Sequence, residues 1–390
     1  MVQNRENNLK PEFWPLSLTL SHRERGYLYS LLILFLLIPN IAHADSLTPP
    51  FDVAAIRATV GAPDAKPFTC KQPPAPLRDL LFDSPYSRND PSRSLIDAAA
   101  EAAYKQENKP LSLYENNLAS MANRYVRSNP PRADVAACLL DWLNDWAQGD
   151  ALMGNVNEGG VNIRKWMLSA VANAWLQVRD EPSLDAEKRE NAIAWIKKVA
   201  FAVRNDYSSD TQLVSHQNNH LTWAAWGVAA AGVALDDRDM FGWAMNKGRV
   251  GIGQIQQNGT LPLELARRSR AYTYHLFSAI PLFALAEIAE KNGVDLFSFN
   301  NEALLRLAQL NLKNIGHPDD FAQLTGETQE QPKRGDNADF GWIELYNIRY
   351  PNDPLAQVAL NILRPLKSSR MGGDITLLYA TENTAPASPR

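Results

Sequence analysis

The sequence predicts an all-α protein built from antiparallel helices with short connections, and three observations carry that expectation. From about residue 94, apolar residues recur at helical spacing in segment after segment, each bounded by Pro, Gly, Asn or Asp. Convincing strand alternation is almost absent. Several segments, "AAWGVAAAGVAL" above all, are apolar on more than one face, which suits a helix packed on both sides. Such an array closes as a bundle, a solenoid or a ring of helical hairpins. The lack of a fixed-length repeat weighs against a tandem-repeat solenoid.

Taken in order, the first segment is one to remove. "YLYSLLILFLLIPNIAHA" follows Arg23 and Arg25 and ends in Ala42-His43-Ala44, a small-x-small cleavage pattern, so it reads as a signal peptide cut after Ala44. Its apolar run falls short of the roughly 20 residues a spanning helix needs, so no membrane anchor is expected after cleavage. The polar stretch before it is long for a charged leader and suggests a translation start downstream of Met1. Residues 45–380 then form the mature domain. Within it, residues 71–93, "KQPPAPLRDLLFDSPYSRNDPSR", read as a long surface loop of the kind that serves as a lid. The helical segments follow: "SRSLIDAAAEAAYKQEN", "RADVAACLLDWLNDWAQ", "NIRKWMLSAVANAWLQV", "DAEKRENAIAWIKKVAFAVR", "LTWAAWGVAAAGVAL", "RDMFGWAMNKGRVGIGQI", "RAYTYHLFSAIPLFALAEIAEKN" and "NEALLRLAQLNLKNI". The tail "TENTAPASPR", residues 381–390, is expected to be disordered.

Export implies an oxidising compartment. The two cysteines, Cys70 and Cys138, both fall in the mature part and are expected to form one disulfide. The net charge of −4 attracts neither nucleic acid nor an anionic membrane, so an anionic substrate has to be held by a local basic cluster.

The motif search narrows the chemistry. There is no Walker loop, "GRVGIG" lacks the strand and spacing of a dinucleotide fingerprint, and no G-x-S-x-G occurs. His216 and His220 have the spacing of a zinc pair, but Gln217 stands where a zinc protease needs glutamate and no third ligand suggests itself. No metal is expected.

Two stretches carry other possibilities. "HQNNHLTWAAWGV" crowds amides and imidazoles onto the start of a core helix, where they either cap the helix or build a site. In "LPLELARRSRAYTYH", helical spacing would stack Arg267, Arg270 and Tyr274 along one stripe. Arginine forks suit carboxylates, and a phenol beside cations is expected to have a lowered pKa. Alone, the stretch reads more readily as a solvated basic face followed by a core tyrosine. Combined with Asn219 and His220, it supplies amide, imidazole, guanidinium and phenol without a carboxylate. That set suits β-elimination on a uronic acid polymer, in which the substrate carboxylate is neutralised, a base takes the C5 proton and an acid protonates the leaving oxygen. A glycoside hydrolase would want two placed carboxylic acids, and none stands in a suggestive cluster.

At these residues the chain resembles the mannuronate-specific alginate lyases of polysaccharide lyase family five. The resemblance rests on "NNHLTWAAW" and "GTLPLELARRSRAYTYH", supported by "IRKWML", "NGVDL", "FGWIELY" and "RMGGDIT", in family order from about residue 80 to 380. It implies an incomplete (α/α) toroid or barrel of antiparallel helical hairpins with a deep cleft, periplasmic residence, no cofactor, an anionic polysaccharide such as alginate as partner, and a possible place beside a polymer-export complex. Carried over, Asn219 and Arg267, joined by His220, neutralise the substrate carboxylate. Tyr274 is the acid, and either Tyr274 or His220 is the base. Arg270, Tyr86 and Arg88 are candidate substrate contacts. Trp342 reads equally as a sugar platform or as core, while Trp223 reads as core. The chain departs from the family pattern at Leu221 and Thr222, and at Pro85, where a lysine is usual before the lid tyrosine; Arg88 is the expected replacement for that charge. These departures keep glucuronan, or a broader range of polyuronides, open as the substrate. A non-catalytic polysaccharide-binding protein on the same scaffold is the rival class.

Overall fold

Five helical hairpins follow one another in the computed structural model, which describes residues 46–208, 213–332 and 337–380. A short helix α1 (Val53–Val60) and α2 (Ala98–Glu107) precede them. The hairpins are α3 (Lys109–Arg127) with α4 (Ala133–Gln148), α5 (Glu158–Val178) with α6 (Ala186–Asp206), and α7 (Asn219–Leu235) with α8 (Arg238–Gly253). After a short α9 (Pro262–Leu265) come α10 (Ala271–Glu290) with α11 (Phe299–Lys313), then α12 (Asp319–Thr325), and last α13 (Trp342–Arg349) with α14 (Pro354–Leu363). The first helix of each hairpin packs on the first helix of the next, in the series α3, α5, α7, α10, α13. The second helices lie outside them, with α4 on α6 and α8 on α11 on α14. An incomplete (α/α) ring of hairpins has this contact order, as does an open array of them.

Chemistry separates the layers. Helix α7 is buried from Asn219 to Val233, and α10 is buried almost throughout, because both have neighbours of the same series on each side and second helices behind them. Between α13 and α3 the helical series is interrupted. There the segment after α14 forms a two-residue antiparallel pair, β1 (Lys367–Ser368) with β2 (Gly373–Asp374), and a last helix α15 (Ile375–Tyr379). Asn123 of α3 holds this segment, its Nδ2 donating to the Gly372 carbonyl and its Oδ1 accepting from the Asp374 N–H. Gln177 Nε2 of α5 also donates to the Gly372 carbonyl.

The sequence reading passed over α3, in which Pro110 and the Asn116-Asn117 pair obscure the apolar stripe of Leu111, Tyr114, Leu118, Met121, Ala122 and Tyr125. It also passed over α13 and α14, whose eight and ten residues are short for a periodicity argument.

The disulfide between Cys70 and Cys138 is formed. It starts a strap along α4, continued where Trp142 and Trp146 donate their indole N–H groups to the carbonyls of Lys71 and Pro74. Further on, the Leu77 and Arg78 carbonyls accept from Leu152 and Gly154, and Leu80 N–H donates to Asn155. Residues 71–80 are therefore fastened to the body, and the expected lid reduces to the turn that follows them. The expected signal peptide, its cleavage after Ala44 and the tail 381–390 lie outside the described residues. Among the described residues, no helix is long and apolar enough to cross a membrane.

Candidate active site

The cleft is a cavity of about 590 Å³ whose lining draws on the turn of residues 82–93 and on the starts of α5, α7 and α10. Each wall has a local cause. Asn157 caps α5 by accepting from Gly160 N–H, and it also exchanges hydrogen bonds with both the N–H and the carbonyl of Phe82. A Cβ on Gly160 would come within 1.8 Å of the Leu80 carbonyl oxygen, so the strap can lie on the helix only because that residue has no side chain. The turn beyond is organised by Asp90, whose carboxylate accepts from the N–H and hydroxyl groups of Ser92 and Ser94 and from Leu95 N–H. Those bonds hold its pKa well below the ordinary carboxylate range, led by the one from the Ser92 side chain.

On α7, Asn218 is the cap that accepts from His220 N–H, which answers what the polar cluster does at that helix start. Asn219 and His220 line the cleft. Glu264 accepts both the N–H and the Nδ2–H of Asn219, each at 2.9 Å. Burial keeps the His220 imidazole well below its usual pKa, with Lys165 and Arg267 adding repulsion. It is therefore neutral at neutral pH. Its Nδ1 has no hydrogen-bond partner, and its ring lies 5.8 Å from that of Trp166.

Arg267, Arg270 and Tyr274 do converge, though not as a helical stripe. The chain leaves α9, turns through the 3-10 residues Arg268–Arg270, and begins α10 only at Ala271. Arg268, with φ 56°, makes the reversal. The two guanidiniums lie 4.4 and 5.7 Å from the centroid of the Tyr274 ring. Arg267 also donates to the Ser92 carbonyl at 3.4 Å, and Arg270 donates to the Tyr86 hydroxyl at 3.1 Å while pairing with Glu330. The Tyr274 hydroxyl meets that of Tyr86. Burial and the Tyr86 hydroxyl raise the Tyr274 pKa more than Arg267 and Arg270 lower it. The expected lowering does not occur in the free cleft, because desolvation outweighs the two cations.

Tyr86 and the exposed Arg88 both line the cleft, as does Pro85. Trp342 does not. It is fully buried, stacked on Phe283 at 5.4 Å and edge-on to Tyr346, so it is core and not a sugar platform. Trp223 and Trp226 are buried behind the polar cap. Leu221 and Thr222 are also buried and are not among the cleft-lining residues; Thr222 donates to the Asn219 carbonyl and faces Gly251 of α8.

The sequence reading missed Trp166 and Arg370. Trp166 lines the cleft with the Arg370 guanidinium 4.4 Å over its ring, and Arg370 also comes within 3.9 Å of Glu115. Both sat inside quoted motifs, and an aromatic ring and a cation in separate family blocks were the available signal. Through Phe277, Asp339 and Arg370 the cleft continues into a groove of about 1330 Å³ carrying Lys66, Arg124, Arg127 and Lys367. Among the described residues, no three His, Cys, Asp or Glu side chains are grouped to hold a metal ion.

The Alginate lyase family model matches residues 81–321, which include most of the cleft residues. The chain belongs to the alginate lyase family. It is 35% identical over 374 residues to an alginate lyase of Azotobacter vinelandii, covering 94% of this chain and 98% of that one. It is 34% identical over 316 residues to an alginate lyase of Cobetia marina, covering 80% and 83%. Among solved structures, alginate lyase A1-III from Sphingomonas species A1 superposes with a TM-score of 0.73 at 24% identity, covering 86% of this chain and 97% of that one. A variant of the same enzyme complexed with a tetrasaccharide gives 0.74 at 23% identity, covering 89% and 98%. It is an alginate lyase, a polysaccharide lyase.

Proposed function

We propose that this lyase cleaves polymannuronate in the periplasm by β-elimination, with Asn219, Arg267 and His220 around the sugar carboxylate and Tyr274 as the acid. The observation that carries the reading is the convergence of these four side chains on one cleft, with the imidazole neutral and the phenol protonated. Neutralising the carboxylate makes the C5 proton acidic, because the charge left on C5 spreads into the carboxyl group. The C5 proton passes to the base, its electron pair forms the C4–C5 double bond, and the C4–O bond breaks. Tyr274 then gives its proton to the departing oxygen. Neutral His220, which lines the cleft, suits the base. A second reading has Tyr274 perform both transfers, since mannuronate presents the C5 proton and the leaving oxygen on one side. It requires Tyr274 to begin as the phenolate, take the C5 proton and pass it to the leaving oxygen; Arg267 over the ring stabilises that phenolate, while burial opposes it. Leu221 and Thr222 are buried away from the cleft, so among these departures only Pro85 reaches its lining.

The test is ultraviolet absorbance on mixing the protein with polymannuronate, polyguluronate and glucuronan in parallel, since elimination leaves an absorbing 4,5-unsaturated end. A rise on polymannuronate alone supports the proposal. A rise mainly on glucuronan changes the substrate, and silence on all three returns the binding-protein reading. His220→Gln separates the two bases: turnover is lost if His220 takes the proton, and it is retained with weakened substrate binding if Tyr274 does. Recovery from the periplasmic fraction with Asp45 as first residue would support export and the cleavage site.

A further inference from the structure

Glu264, at the end of α9, is 1% exposed, and an ionisable group so far from water is costly unless something uses it. It is not among the residues that line the cleft, whereas Asn219 and Arg267 are. One of its oxygens, Oε1, accepts both N–H groups of Asn219, and the other, Oε2, has no hydrogen-bond partner and lies 3.9 Å from Arg267 Nε. A single carboxylate behind the wall therefore touches both groups that face the sugar carboxylate.

We infer that Glu264 is a positioning residue for the reaction: it fixes which way the Asn219 amide faces and sets the place of the Arg267 guanidinium, without meeting substrate. An asparagine amide can turn end for end, and with its oxygen toward the sugar it would repel a carboxylate. Tethering Nδ2 to Oε1 removes that freedom before substrate arrives, leaving the second Nδ2–H for the ligand. The backbone bond to the same oxygen ties the orientation to the first residue of α7. The inference rests on the elimination reading, because it assumes that carboxylate neutralisation limits the rate.

Reach and charge separate positioning from structural support. Glu264→Gln keeps an acceptor at full length and loses the charge; Glu264→Asp keeps the charge and withdraws the acceptor by one methylene. The expected result is that Gln retains about a third or more of kcat, while Asp loses about tenfold to a hundredfold with KM changed less than about threefold. In an Asn219→Ala background, Asp should add less than about threefold to the existing loss. Cleavage is followed by new reducing ends, which any cleavage chemistry makes, and in parallel by the ultraviolet product. Failure of the elimination reading thus appears in the second assay alone. Equal activity of the Asp variant and the parent, losses that multiply in the double variant, or a Gln variant as impaired as Asp would each overturn the role of Glu264. Thermal melts of both variants show whether a loss of kcat comes from unfolding.

Discussion

The hydroxyl of Tyr86, on the turn that follows the strap, meets the hydroxyl of Tyr274, 188 residues further along the chain, where the two arginines of the same block flank the phenol. The proposed acid is thus covered in the free protein by a tyrosine of the loop that walls the cleft, and a polymer reaching Tyr274 has to part the pair.

Tyr274→Phe removes a hydroxyl whose side-chain partner is Tyr86, and it leaves the ring that Arg267 and Arg270 stack on. Turnover should fall about 10²- to 10⁴-fold, the usual range for losing a placed acid or base, with the melting temperature little changed. Steady-state rates and calorimetry on the same preparation check this. Activity within tenfold of the parent would remove Tyr274 from the mechanism.

Tyr86→Phe should move the alkaline limb of kcat/KM to lower pH. Burial raises the Tyr274 pKa most, and Tyr86 adds to it by electrostatic repulsion and by its hydrogen bond, so without the Tyr86 hydroxyl the acid form is lost sooner as pH rises. A pH–rate profile reads the shift, and an unmoved limb would show that another group sets it.

His275 makes stability depend on pH. Its Nδ1 donates to the Ala271 carbonyl and its Nε2 accepts from Leu261 N–H, which requires the neutral ring, and burial lowers its pKa to about 4. Because the folded value lies below the unfolded one of about 6.5, the contribution is complete above pH 6.5 and disappears as pH falls to about 4. It is on the order of 3 kcal/mol. Urea titrations across that window measure it; in a His275→Gln variant the window should flatten, and an identical slope would place the proton uptake elsewhere.

Reduction of the disulfide should destabilise the protein. Cys70 and Cys138 are 68 residues apart, and closing so long a loop corresponds to about 4 kcal/mol in the chain-entropy account. The strap keeps its indole hydrogen bonds from Trp142 and Trp146, so cleavage by the folded protein should persist in mild reductant. Denaturation with and without dithiothreitol, beside activity at low temperature, separates the two effects.

Trp342→Ala should cost about 3–5 kcal/mol, the range for emptying a large aromatic site in a core. Trp342→Phe, which keeps a ring against Phe283, should cost less and leave KM for polymer unchanged. A raised KM with unchanged stability would return this residue to the cleft.

Much of this molecule is determined by local pattern. Helical periodicity fixed the all-α class and most of the long helices, because burial of a repeating face leaves its period in the chain. Two cysteines in a chain that has no others identified their own pairing. The residue types in two short blocks marked Asn219, His220, Arg267 and Tyr274 as a candidate set, and all four line one cleft. Tertiary structure decided what depends on distance through space. It put Trp342 in the core, though its block offers no clue to which face of a short helix looks inward. It brought the arginines to Tyr274 by a turn where the sequence suggested a continuous helix. It fastened residues 71–80 along α4 and left only the following turn over the cleft. It also reversed the expected pKa of Tyr274, because desolvation is set by everything packed around a group, and sequence spacing records only the neighbours on its own segment.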